Sequence, residues 1–122
     1  MTTILTKRAY DPPSPQDGLR VLVDRLWPRG LSKDKAALDH WMKELAPTTA
    51  LRKWFDHRPE RFAELKRRYH EELQHNPAVP NALAQIGRRK VTLVYGARDP
   101  AINHAVVLAD FLKRSRRKTS GS

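Results

Sequence analysis

Two short apolar runs constrain this chain more than anything else in it. Arg20-Val21-Leu22-Val23 and Val91-Thr92-Leu93-Val94-Tyr95 are rich in β-branched residues and lack the polar–apolar alternation of a strand with one wet face. Such runs belong to strands covered on both sides, the usual condition of a parallel sheet. Parallel strands need crossover connections, and the sequence between and after the two runs has helical patterning. The expected fold class is therefore α/β: a single layered domain over residues 1–112, with a mostly parallel sheet flanked by helices.

The remaining elements fit that frame. Ile4 and Leu5 open a strand running to about Arg8, and the segment from Tyr10 to Gly18, stiffened by Pro12, Pro13 and Pro15, reads as an extended loop. Pro28 and Gly30 force a loop after Val23, and Ser32 is placed to cap a short turn through Lys35. Leu38, Trp41, Met42 and Leu45 recur at helical spacing and predict a helix, with a strand as the alternative because the stretch is short and ends at Pro47. Thr48 caps a helix bearing Leu51, Trp54 and Phe55, with Trp41 and Trp54 expected as core anchors. The clearest helix runs from about Pro59 to Gln74 on the stripe Phe62, Leu65, Tyr69 and Leu73. Asn76-Pro77 stops it, another helix spans roughly Pro80 to Arg88, and the last is expected from Ala101 to Arg114.

Composition closes off several classes of function. With no cysteine among 122 residues there is no disulfide framework, thiolate nucleophile or thiolate metal site, and a cytoplasmic setting is expected. No apolar run approaches the ~18 residues of a membrane span, so no membrane partner is expected. His57, His70 and His75 do not form a metal-ligand pattern, so no metal is expected; Ser14 and Ser32 lack a nucleophile-elbow motif. There is no glycine-rich phosphate loop, and nothing in the chain implies a cofactor. The net charge of +11 points towards polyanions, but five cations, Lys113, Arg114, Arg116, Arg117 and Lys118, fall in a basic segment, 113–122, expected to be a disordered tail.

Candidate chemistry lies where the two strong strands end, because ligands of open α/β sheets bind beyond the carboxyl ends of the strands. Asp24, Arg25, Trp27 and Arg29 follow the first run; Arg98, Asp99, Asn103 and His104 follow the second. Arg25, Arg29 and Arg98 are placed to neutralise an anion, which the start of the last helix would also favour. Asp24 or Asp99 would orient those groups, and His104 would move a proton. Each residue also has a structural reading: Asp99 as a helix cap, Asp24 with Arg25 as a loop-fixing pair, and Trp27 as a plug at the end of the core. Arg20 is expected at the far end of its strand, away from the site.

The segments KRAYDPPSPQDGLRVLVDRLWPRGLSK, WMKELAPTTALRKWF, RRYHEEL and VTLVYGARDPAINHAVVL resemble the YeaO-like family of small bacterial proteins of unknown function, over about Lys7 to Leu112. The wider superfamily looks similar in placing an Asp-Val-Arg-type motif after its first strand and a Cys-His-Arg-type motif after its last. Those positions fall near Asp24-Arg25 and Asn103-His104-Ala105. Asn103 thus stands where those relatives carry cysteine and Ala105 where they carry arginine, so the resemblance implies two facing loops without thiol chemistry.

Two functions compete at this level. One is a small pocket protein or enzyme acting on an anionic, conceivably phosphorylated, small molecule at the two loops. The other is a non-enzymatic nucleic-acid-binding module using the basic surface and tail, with Trp27 available for stacking.

Overall fold

A computed structural model describes residues 3–120, and side chains as far as Arg116. Four strands form one sheet: β1 (Ile4–Arg8), β2 (Leu19–Leu22), β3 (His40–Trp41) and β4 (Val91–Tyr95). Their order is β1-β4-β2-β3, and every neighbouring pair is parallel. The helices are α1 (Lys33–Ala36), α2 (Thr49–Phe55), α3 (Phe62–Gln74), α4 (Ala78–Ile86) and α5 (His104–Ser120). The two runs singled out in the sequence lie side by side at the centre, with Val21 level with Leu93 and Leu22 with Val94. Among the described residues, no helix is long and apolar enough to cross a membrane.

Because side chains alternate across a strand, the register divides the sheet into two unlike faces. Ile4, Val21, Val91, Leu93 and Tyr95 point to one side and join Leu51, Phe55, Leu65, Tyr69, Leu73, Ile86, Leu108 and Leu112 in the main core. Helices α2 to α5 cover that side. On the other side Ala9, Leu22 and Val94 form a smaller cluster closed by Trp27, Leu31 and Leu38, which come from loops. Both faces are covered, as the unbroken apolar runs require, but the longer helices stack on one face only, and the one-turn α1 lies with the loops on the other, where Arg20 donates to the Ala36 carbonyl.

The caps explain where the helices begin. The hydroxyls of Ser32 and Thr48 accept from the backbone amides of Lys35 and Leu51, satisfying donors that the first helical turn leaves free. Glu72 on α3 accepts from both the amide and the hydroxyl of Thr48, tying α2 to α3. Pro59 opens a single 3-10 turn, Pro59–Arg61, that leads into α3.

Three expectations are corrected. Residues 38–45 do not form a helix: His40–Trp41 is an edge strand beside β2, followed by a 3-10 turn at Lys43–Leu45. Met42 and Leu45 are buried, but Trp41 is 40% exposed, its indole Nε1 donating to the Asp24 carbonyl 2.7 Å away. The helical spacing misled because a two-residue strand and a 3-10 turn happen to bury the same positions. Trp54 is half-buried with Arg61 and Arg68 over its ring, at the margin of the core. Finally, α5 runs from His104 to Ser120, starting later and reaching further than the expected Ala101 to Arg114, so residues 113–120 are helical where a tail was expected; residues 121–122 of that tail lie outside the described residues. Arg116 is buried against the carbonyl of Arg89, which anchors this extension, and burial lowers its pKa.

Candidate functional site

The site begins with a strand end. β2 ends at Leu22, and Pro28 and Gly30 shape the loop that follows; Gly30 has φ +76, a conformation that ordinary side chains rarely adopt. This loop carries Asp24 to Arg29 across the carboxyl edge of the sheet. Beside it, β4 ends at Tyr95, and Gly96 passes so close that its amide donates to Asp24 Oδ2 at 2.8 Å. A Cβ on Gly96 would sit 3.0 Å from that same oxygen. The two polar loops therefore do meet on one edge.

His104, the first residue of α5, completes the junction. Its Nε2 lies 3.0 Å from the Val23 carbonyl and 3.2 Å from Asp24 Oδ1. Two oxygens around one ring nitrogen require Nε2 to carry the proton, which goes to Val23; Oδ1 is buried and takes no well-aligned hydrogen bond. The Nδ1 atom has no partner among the described residues and, with the proton on Nε2, is a free hydrogen-bond acceptor. Tyr69 stands edge-on behind the imidazole at 6.3 Å, its hydroxyl donating to the Leu45 carbonyl. Burial, followed by the charges of Glu72 and Asp24, raises the Tyr69 pKa well above its ordinary value and keeps the phenol neutral.

Around this junction opens a cleft of about 480 Å³. Asp24, Arg25, Trp27, Arg29, Asn103 and His104 line it, so six of the residues selected from sequence come together. Arg98 and Asp99 do not line it and are exposed. Asp99 Oδ1 accepts from the amides of Ala101 and Ile102, and Asn103 Oδ1 accepts from the amide of Val106. The approach to α5, expected to favour an external anion, is thus capped by the protein's own side chains. Asn103, 2% exposed, also donates to the Asp99 carbonyl, so it locks the turn.

The cations differ in their freedom. Arg25 does not pair with Asp24; it donates to the carbonyls of Ala46 and Pro47 at 3.2 and 3.3 Å, and its buried Nε has no partner. Arg29 holds Tyr10 through its backbone carbonyl, and its guanidinium has no bond among the described residues. Trp27 donates to the Leu31 carbonyl and meets Trp41 edge-on, with ring centroids 5.5 Å apart. Its role as a plug and its place in the cleft wall coincide.

Tyr10, Arg52, Phe55, His57 and Leu65 also line the cleft without having been selected from sequence. Arg52 and His57 come from α2 and the turn after it, where Asp56 and His57 have φ of +49 and +54. Two successive non-glycine residues in the left-handed region are uncommon, and the turn brings the imidazole to the cleft. Nothing local to Leu51–Arg58 signals this; the long-range packing of α2 against α3 creates it. Among the described residues no group of three or more metal-ligating side chains forms.

Comparison with known proteins identifies the family. No solved structure matches the chain. The uncharacterised protein YeaO of Escherichia coli strain K12 is 45% identical over 111 residues, covering 90% of this chain and 96% of that protein. The uncharacterised protein Rv3073c of Mycobacterium tuberculosis is 44% identical over 111 residues, covering 91% of this chain and 94% of its own. A family model described as the inactive DUF488-N3 subclade matches residues 3–121. The chain belongs to this YeaO-like family, the inactive DUF488-N3 subclade.

Proposed function

We propose that the cleft binds a small anionic molecule with an apolar body and that the protein acts by binding it, not by transforming it. The observation that carries this reading is the pairing, in one cleft, of guanidinium groups without a partner among the described residues and an apolar wall. Arg29 and Arg52 contribute the cations, while Leu26, Trp27, Pro28, Phe55 and Ala97 contribute the apolar surface. Arg25, already held by two carbonyls, supports the loop and adds charge. Asp24 orients the Gly96 turn and His104, in place of the arginines it was expected to orient.

Binding is favoured over catalysis because the residue at the mouth of α5 is Asn103, whose carboxamide is engaged at both ends. Among the described residues no serine, threonine or cysteine lines the cleft, so it offers no aliphatic hydroxyl or thiol nucleophile. The family description, inactive, agrees with this reading. The nucleic-acid reading has less support, since the segment that would supply its basic arm continues α5 and turns Arg116 inward.

The test uses phenyl phosphate, benzoate and glycerol phosphate in thermal-shift and calorimetric titrations. The two aromatic anions should stabilise the protein by mass action, and glycerol phosphate should do so less. Arg29→Ala with Arg52→Ala should weaken binding at least about tenfold, as loss of charge-assisted hydrogen bonds predicts. Unchanged affinity in that double variant would remove the cleft from consideration. Turnover of phenyl phosphate that disappears in His104→Ala would overturn the non-catalytic half of the proposal.

A further inference from the structure

The sheet has two edges, and they are unlike. On one side β3 is only two residues long. On the other, β1 offers five residues with no strand beyond them among the described residues. The backbone bonds to β4 come from residues of one parity: the Thr3 carbonyl accepts from Val91, and the Ala9 amide donates to Tyr95. The N–H and C=O of a strand residue point to the same side, so Ile4, Thr6 and Arg8 face outward. The Arg8 carbonyl is taken by the amide of Asp11, but the remaining outward groups of these three residues bond to nothing among the described residues.

Beside this edge lies a second hollow, between β1 and the pair α3 and α5. Ala63, Val106 and Ala109 supply apolar surface, and Lys66, Arg67, Lys113 and Arg114 supply charge. Arg67 and Arg114 are paired with Glu64 and Asp110 on their own helices. Lys66 and Lys113 have no carboxylate partner among the described residues, and Lys66 Nζ sits over the Phe62 ring. On the opposite face of the strand Leu5 is 41% exposed.

We propose that β1 is a docking edge for an extended acidic peptide, which adds a strand to the sheet. Its backbone would pair with the outward groups of Ile4, Thr6 and Arg8, as in other strand-addition complexes. Alternate side chains of such a strand point to opposite faces, so one set meets the cationic α3–α5 wall and the other meets Leu5. Charge selects this occupant over a second copy of the chain: two molecules of net charge +11 would bring like-charged edges together. The site is separate from the cleft and does not depend on the function proposed there.

The probe is a capped, fluorescently labelled peptide alternating glutamate and valine, followed by anisotropy and by amide hydrogen exchange. Binding should slow exchange at the amides of Ile4, Thr6 and Arg8. Thr6→Pro removes one outward donor while leaving the β4 ladder intact, since proline is tolerated on an edge strand. It should weaken binding at least about tenfold, and Lys66→Glu with Lys113→Glu should do the same without touching the backbone. Unfolding curves on both variants separate lost binding from lost folding. Equal binding by the lysine version of the peptide, by polyglutamate or by a single-stranded oligonucleotide would overturn the proposal, as would concentration-dependent dimerisation through β1 or failure to bind the peptide.

Discussion

Two carboxylates sit at opposite ends of the same sheet, Asp17 just before β2 and Asp24 just after it, and their surroundings differ in kind. Asp17 is 6% exposed and saturated: it accepts from the Ser14 amide, from Lys7 and, at 2.7 Å, from Arg20. Arg20, itself 4% exposed, also donates to the carbonyls of Ala36 and Ala37. Thr92 closes the knot by donating to the Asp17 carbonyl. Asp24 instead makes one amide bond, faces His104 off the hydrogen-bond line, and borders a cleft. A fully satisfied buried network fixes structure, whereas one left incomplete beside a cavity has capacity for a ligand. The first cluster locks the loops that cover the thinner face of the sheet; the second is the candidate site.

The largest expected effect comes from breaking the lock. Arg20→Met leaves Asp17 buried with only Lys7 and Ser14 and frees two carbonyls. Removing one partner of a buried pair costs about 3–5 kcal/mol, to be read from urea unfolding curves. A loss below about 1 kcal/mol would mean that the loops, not the ion pair, hold this end of the sheet.

The acid dependence follows from the same group. Burial alone pushes Asp17 upwards, but the Ser14 amide together with Lys7 and Arg20 outweighs it and holds the carboxyl below its ordinary value. The unfolded chain then binds the proton first as pH falls. Asp17 therefore contributes its full stability above the unfolded carboxylate range, at about pH 4, and loses it as pH falls through the depressed folded value. Asp17→Asn should flatten the stability profile between about pH 5 and pH 2 relative to the parent. Glu64, held at about 2 by Arg67 and Arg68, titrates in the same region but lies on the surface, so Glu64→Gln should leave the profile nearly unchanged.

This contrast also marks what sequence can convey. The central strands, the capping of α1 and α2, and the convergence of residues 24–29 with 103 and 104 were all legible, because each depends on local pattern or on the rule for parallel sheets. The lock was not. Arg20 interrupts an apolar run and was placed at the strand's far end correctly, but nothing local pairs it with Asp17 in place of solvent. The Arg98 loop failed for the opposite reason: a basic residue before a helix is a good anion signal only when the helix start is vacant, and Asp99 and Asn103 supply its caps. Arg52 and His57 were invisible because the approach of α2 to the cleft is set by packing with α3. The strand at His40–Trp41 was legible only as the alternative, because a helical period extends across a boundary it could not reveal.

Asp24→Asn sharpens the comparison from the other side. The Gly96 bond survives in the amide, and the Val23 carbonyl still accepts from His104 Nε2, so side-chain nitrogen shifts should report the same tautomer. Stability should fall by about 1 kcal/mol, the scale of one ordinary hydrogen bond, and by less than half the loss from Arg20→Met. An equal loss would make Asp24 a second lock and weaken its claim as part of a site.

The smallest effect is expected at Gly96, and it is set against Gly18, the other glycine beside a carboxylate, where the same substitution should be far more costly. Gly18 has φ +64 and a Cβ there would lie 2.3 Å from the backbone oxygen of Lys90, so Gly18→Ala cannot be absorbed without moving β4. Gly96 has no such backbone conflict; its added methyl meets only Asp24 Oδ2 at 3.0 Å and Pro28 beyond it. The carboxylate can yield by a few tenths of an ångström because one side of its surroundings is open. Gly96→Ala should therefore cost under about 1 kcal/mol, while the small movement of Asp24 shifts the His104 ring signals. If Gly96→Ala proved as costly as Gly18→Ala, the loop junction would be as rigid as the lock, and the freedom assigned to the cleft side of the sheet would be gone.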